Sequence, residues 1–256
     1  MKPLIYFSYG MTKTGSTLAY QLTRAVLVAA GCPQPKLKAA ALRHSARINH
    51  AQHLTEADIA DIRAEVANWD GPVVIKTHTR PDDPAVVALL QSGEAVAHAC
   101  YRDPRDMALS MLDHGKQARA EGKPAFSEIE TLDDALNGIR NQIDSLTAWL
   151  RLPNVLPLCF DDIAFRSAET VDRIADQLGL HVDAEQIAEQ VKDTTFTQFN
   201  KGVASRYRSE MSAADADRIT TEFSPFYLTL IDGPARHAKA GPVHLPPPAA
   251  LRHKQK

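Results

Sequence analysis

Three short apolar runs in this chain each end in residues suited to holding an anion or moving a proton. The first run, residues 4–9, ends in a loop of small residues from Gly10 to Thr17 that contains Lys13. Leu18, Leu22, Val26 and Ala29 then recur at helical spacing up to Gly31. Strand, small polar loop and helix is the arrangement that aims backbone N–H groups and a helix dipole at an anion. Gly10 and Gly15 have the glycine spacing of the nucleotide-triphosphate loop G-x-x-x-x-G-K-[ST], but Ser16 stands where that loop needs lysine. Lys13 sits two residues before the second glycine and meets the anion from another side, while Thr14, Ser16 and Thr17 add hydroxyl and amide donors. The expectation is a phosphate-like anion with no obligatory magnesium. The plain alternative is a loop that merely turns a strand into a helix.

The second run, 73–76, leads through Lys76 and Thr77 to His78, and the third, 95–101, leads to Arg102, with Ser110 eight residues further on. Singly, an arginine or histidine at a strand end is more often structural; the joint placement carries the argument. In an open parallel sheet, ligands sit outside the C-terminal ends of the strands, so these groups are expected to share one site.

The elements that must position them follow from periodicity and turn chemistry. Thr55 and Asp58 make a capping start for a helix ending near Trp69. Further helices are expected from Pro84 to Gln91, from Pro104, from Leu132 to Leu150, from Ala168 to Leu178, from Ala184 to Lys192, and after Ser212. A fourth strand is expected over Val155 to Phe160, followed by Asp161 and Asp162. Part of Lys36 to Arg47 reads as helical, and residues 115–126 read as a mobile loop. Alternating strands and helices predict an α/β fold: a three-layer sandwich with a central, mainly parallel sheet of the P-loop NTPase type. Residues 1–232 are expected to form one domain, and residues 233–256, rich in Pro, His, Lys and Arg, a poorly packed tail.

With 256 residues the chain can bury a full core, and a net charge of −2 gives no bulk attraction to nucleic acid or membrane. No stretch approaches the ~20 apolar residues of a membrane span. Cys32, Cys100 and Cys159 are widely spaced and read as free thiols, and the N-terminus enters the first strand without an apolar leader. A cytoplasmic location is expected. His44, His50 and His53 have no accompanying carboxylate or cysteine pattern, so no metal site is expected there.

These motifs together resemble one family. The segment from Phe7 to Thr17 resembles the 5′-phosphosulfate loop of the sulfotransferases that use 3′-phosphoadenosine 5′-phosphosulfate (PAPS). Arg102 and Ser110, within residues 101–110, resemble the same family's 3′-phosphate motif, and the segment ending in Lys76, Thr77 and His78 resembles the one carrying its catalytic histidine. Residues 158–163 with Leu178 to Leu180, and Asn200, Lys201 and Gly202, resemble later family segments, so the likeness covers about residues 4–230. The resemblance implies a sulfotransferase of the cytosolic type that moves a sulfuryl group from PAPS to a hydroxyl or amine of a small molecule, leaving PAP, with no metal required. It assigns Lys13, Lys76 and His78 to catalysis. It assigns Lys13, Thr14, Gly15, Ser16, Thr17, Leu18, Arg102, Ser110, Phe160, Thr194, Phe196, Asn200, Lys201 and Gly202 to nucleotide binding.

The departures matter as much. Leu18 stands where the family often has an aromatic residue, Phe160 where tyrosine is usual, and Asn200 where arginine is usual, with Arg206 a candidate for the missing charge. The sequence leaves the acceptor and the oligomeric state open. The alternatives are a P-loop nucleotide kinase or NTPase, using Asp161 or Asp162 for magnesium, and a non-catalytic protein that binds PAP-type nucleotides.

Overall fold

The computed structural model describes residues 3–43, 45–69, 71–194 and 203–245. Four parallel strands, β1 (Ile5–Gly10), β2 (Val73–Thr77), β3 (Ala95–Tyr101) and β4 (Val155–Cys159), form one sheet in the order β2-β1-β3-β4. Every strand residue is buried, the mark of a parallel sheet covered on both faces. Side chains alternate between the two layers as the pleat requires. Ile5, Phe7, Tyr9, Val73, Ile75, Ala97 and Tyr101 enter one core, and Tyr6, Val74, Val96, Cys100 and Leu158 the other.

Helices α2 (Glu56–Val66), α3 (Pro84–Ser92), α4 (Pro104–Ala120) and α5 (Leu132–Leu150) cover the first face. Helices α1 (Ser16–Ala29), α6 (Phe160–Phe165), α7 (Ser167–Leu178) and α8 (Ala184–Thr194) cover the second. Thr55 and Thr131 cap α2 and α5 in reciprocal capping boxes with Asp58 and Asp134. Pro84 and Pro104 open α3 and α4. The short α9 (Tyr207–Glu210) and α10 (Ala213–Glu222) follow, α10 capped by Ser212. The three cysteines are free and buried.

The second layer contains a polar knot. His98, fully buried on β3, shares one ring nitrogen with the Ser8 hydroxyl at 2.8 Å and the other with the Thr23 hydroxyl at 3.3 Å. Burial pushes the imidazole down to about 3, so it is neutral. The knot joins β1, β3 and α1, and so fixes the helix that carries the small-residue loop.

Several expectations are corrected. The helix after the loop begins at Ser16, not Leu18, so Ser16 and Thr17 form its first turn. Among the described residues between Lys36 and Arg47 there is only one 3₁₀ turn, Ala40–Leu42. Strand β4 ends at Cys159, and Phe160 opens α6. The expected loop from 115 is helical as far as Ala120, with Gly115 inside α4. That glycine is required by packing: a Cβ on it would lie 2.3 Å from the Ile129 carbonyl oxygen.

Residues 233–245, expected to be poorly packed, are seated on the sheet. Ala235, Val243 and Leu245 are buried in the first core, and Val243 N–H donates to the Leu150 carbonyl at 2.7 Å. The segment opens with a short 3₁₀ helix, Pro234–His237, and its apolar residues then pack beside β4 and α5, where Gly241 N–H also donates to the Val155 carbonyl at 3.3 Å. Residues 246–256 of the expected tail lie outside the described residues. Leu245→Ala is expected to cost about 2–5 kcal/mol, lowering the melting temperature by at least ~4 °C. An unchanged melt would mean that this segment contributes nothing to the core.

Candidate active site

The loop after β1 is held open by its own backbone. Met11 N–H donates to the Cys100 carbonyl at 3.1 Å, and the Thr14 hydroxyl donates to the Met11 carbonyl at 2.6 Å. The Thr12 hydroxyl donates to Gln142 of α5 at 2.9 Å, and its N–H reaches the same oxygen. Lys13 and Gly15 both adopt left-handed backbone, φ 65° and 71°. A Cβ on Gly10 would lie 2.5 Å from the Ser16 Cβ, so only glycine lets the strand end pass the start of α1. Gly15 precedes α1 without any side-chain cap, and no acidic residue lies in the first turn. The first N–H groups of α1 therefore project unpaired by the helix, at the positive end of its dipole.

Beside the loop, β2 delivers two groups. Lys76 is buried, and its Nζ donates to the Thr17 hydroxyl at 2.9 Å. Burial holds its ammonium below the usual lysine value. His78 lies with Nδ1 2.7 Å from the Gly10 carbonyl oxygen. A carbonyl only accepts, so Nδ1 carries the proton and Nε2 the lone pair. Burial, then the nearby Lys76 charge, pushes His78 down to about 4, against a smaller opposing pull from the Gly10 bond. The His50 ring packs edge-on against His78, 5.8 Å between centroids.

On the other side, β3 delivers Arg102. Its guanidinium lies 3.9 Å above the Phe160 ring, donates to the Lys13 carbonyl at 3.4 Å, and reaches Asp106 at 3.3 Å. Its buried Nε has no partner among the described residues. Ser110 is buried on α4, two turns along from the same strand end. Lys13 itself is half-buried, and burial together with the Arg102 charge lowers its ammonium, with Asp113 opposing. Three cations and one helix N-terminus thus surround the mouth of the loop.

The other expected residues divide. Leu18 is half-buried against the second core, and Phe160, expected to stack on a base, has Arg102 over its ring. Thr194 ends α8. Phe196, Asn200, Lys201 and Gly202 lie outside the described residues. Arg206, considered as a replacement charge, is buried and paired with Asp113 and Glu210, both at 2.7 Å, so its charge is already matched. Asp162, a carboxylate that the magnesium-dependent alternative would use, is bound by Arg166 and Arg236. Two contributors went unread in the sequence. Asp106 holds Arg102 and also accepts the Tyr207 N–H at 3.0 Å; its position four residues after Arg102 was the available signal. Gln142, which ties down Thr12, has no signal in the local sequence.

A family model for the sulfotransferase domain matches residues 6–226. No curated protein is significantly similar in sequence. Retinol dehydratase in complex with androsterone and the inactive cofactor PAP superposes with a TM-score of 0.55 at 15% identity, over 90% of this chain and 82% of that one. The same protein in a complex with retinol and PAP gives 0.55 at 16% identity, over 93% and 84%. Mouse sulfotransferase SULT7A1 complexed with PAP gives 0.55 at 14% identity, over 87% and 84%. Identities this low speak for a shared P-loop-like α/β fold, whereas the family match spans most of the chain. The protein belongs to the sulfotransferase family and is an enzyme of sulfuryl transfer.

Proposed function

We propose that the enzyme takes PAPS as its sulfuryl donor and passes the group to a hydroxyl or amine of a small-molecule acceptor, leaving PAP. The observation that carries this reading is His78, whose Nδ1 bond to Gly10 leaves the Nε2 lone pair available beside the anion loop. The chain's own groups fit a polyanionic nucleotide. The start of α1 has no side-chain cap, Gly10 and Gly15 remove side-chain bulk, and Arg102 has a buried Nε without a partner among the described residues. PAP in the structures of retinol dehydratase and the mouse enzyme supports the choice of nucleotide, and androsterone and retinol beside it support a small-molecule acceptor.

In this reading the amides of Thr14, Gly15, Ser16 and Thr17 hold the 5′-phosphate at the α1 N-terminus. His78 Nε2 takes the proton from the acceptor as its oxygen or nitrogen bonds to sulfur. The bond between sulfur and the 5′-phosphate oxygen breaks, its electron pair stays on that oxygen, and Lys13 stabilises the charge. Lys76 orients the transferred group. Arg102 and Ser110, with Lys201 and Gly202, hold the 3′-phosphate, while Leu18, Phe160, Thr194 and Phe196 adjoin the adenine and Asn200 adds a polar contact. No metal takes part.

Three measurements test these roles. Lys13→Ala is expected to lower turnover by ~10²–10³, while calorimetry still detects PAP; near-normal turnover would remove Lys13 from the transition state. Arg102→Ala is expected to weaken PAP by about 10–100-fold, the worth of a charged hydrogen bond, with adenosine 5′-phosphate little affected. Equal losses for the two nucleotides would refute a 3′-phosphate site. Finally, the profile of kcat/KM against pH reports the free enzyme. Catalysis needs neutral His78, so activity should fall as pH drops through about 4 rather than 6.5. It needs the Lys13 ammonium, so activity should also fall with rising pH before the ordinary lysine value of 10.5. An acid limb at 6.5 that persists in His78→Ala would assign the base elsewhere.

A further inference from the structure

Four non-glycine residues among those described have left-handed backbone, and two of them, Lys13 at φ 65° and Phe126 at φ 69°, face each other. The Lys13 Nζ lies 5.6 Å from the centroid of the Phe126 ring, and the His114 ring meets Phe126 edge-on at 4.8 Å. For a bulky aromatic residue a positive φ is a true outlier, and such strain persists only where the surroundings over-determine it.

Here they do. Arg119 of α4 donates to the carbonyls of Ser127 at 3.0 Å and Ile129 at 2.7 Å, and Ile129 N–H donates to the Phe126 carbonyl at 3.0 Å. Gly115 lets this turn press onto α4, since a Cβ there would lie 2.9 Å from the Phe126 carbonyl oxygen as well as against Ile129. The turn is clamped to the helix from below, and the Phe126 ring is presented to the lysine. Glycine would hold the same backbone without strain.

Lys13 has a reason to need such a partner. Arg102 repels it, and Asp113, the carboxylate that attracts it, is bonded to Arg206 at 2.7 Å. His114 is the other titratable group beside it. A carboxylate placed directly on Lys13 would fix the ammonium but would also neutralise the charge that the leaving phosphate requires. The face of an aromatic ring attracts a cation without cancelling it.

We infer that Phe126 is a positioning residue for Lys13, held in strained backbone so that its ring keeps the ammonium at the mouth of the anion loop. This rests on the role given to Lys13 above, but its test does not require turnover. Competitive acetylation of the full-length protein with acetic anhydride between pH 7 and 11, read by peptide mass spectrometry, titrates Lys13 individually. Phe126→Leu keeps the strain and the apolar cover but removes the ring. Lys13 is then expected to titrate about half a pH unit lower, the worth of an exposed cation–π contact. An unchanged Lys13 titration would overturn the inference. Phe126→Gly and Phe126→Ala both remove the ring, but only glycine relieves the backbone, so it should melt about 2–4 °C above the alanine variant. Equal melts would refute the strain. If Lys13→Ala kept full turnover while Phe126→Leu moved the titration, the catalytic role of Lys13 would fail and the positioning contact would stand.

Discussion

The bond from His78 Nδ1 to the Gly10 carbonyl joins the ends of two neighbouring strands, and the parallel register of the sheet makes it available. Tyr9 pairs with Thr77, so the next residues, Gly10 and His78, emerge side by side at the same edge. On the opposite side, Gly10 pairs with Cys100, so Arg102 arrives two residues later. Because β1 is an inner strand, its loop lies between what β2 and β3 deliver. An edge strand would have one such neighbour. The order β2-β1-β3-β4 thus places the His78 imidazole on one flank of the loop and the Arg102 guanidinium on the other.

That convergence has an electrostatic cost. Burial lowers the ammonium groups of Lys13 and Lys76 and the guanidinium of Arg102 below their ordinary values, so the fold disfavours the charges it assembles. Asp106 offsets part of this by reaching Arg102 at 3.3 Å, yet the guanidinium Nε has no partner among the described residues. A site with attraction left over is one that a polyanion completes. The packed rigidity beneath it, including the His98 knot between β1, β3 and α1, keeps the cations from relaxing apart. Stability given up at the loop is made good in the two apolar layers, as is common where function breaks a local rule.

How far the sequence discloses this depends on the kind of signal each residue leaves. The strands were legible because buried parallel strands are short apolar runs, and β3 matched its expected range of residues 95–101. Lys13, Lys76, His78 and Arg102 were legible as one cluster because each lies at or just beyond the end of such a run, and a parallel sheet brings those ends together. Residues that act through tertiary contact left no such trace. Gln142 is one polar residue on a long amphipathic helix until Thr12 meets it, and Phe126 reads as an ordinary loop aromatic until its backbone angle is known. Gly115 misled in the opposite sense: read as a loop signal, it lies inside a helix because a neighbouring backbone needs its space. The segment from 233 to 245 differs from its composition, because a short 3₁₀ helix and burial of Ala235, Val243 and Leu245 depend on a few apolar contacts that a count of Pro, His, Lys and Arg does not register.

The displaced lysine also acquires a physical meaning from its neighbour. In the triphosphate loop, the Ser or Thr two residues after the second glycine offers its hydroxyl to magnesium. Thr17 occupies that position here, and its hydroxyl is bonded to the Lys76 ammonium at 2.9 Å. The hydroxyl that would face a divalent ion in that loop accepts here from a monovalent ammonium. Lys13 stands within the loop instead, because Ser16 has taken the usual lysine position as the first residue of α1, and its ammonium faces the Phe126 ring. The positive charge at the loop is thus divided between two ammonium groups, one on the Thr17 hydroxyl and one facing the Phe126 ring. That division, rather than the glycine spacing, is the physical difference between the two kinds of loop.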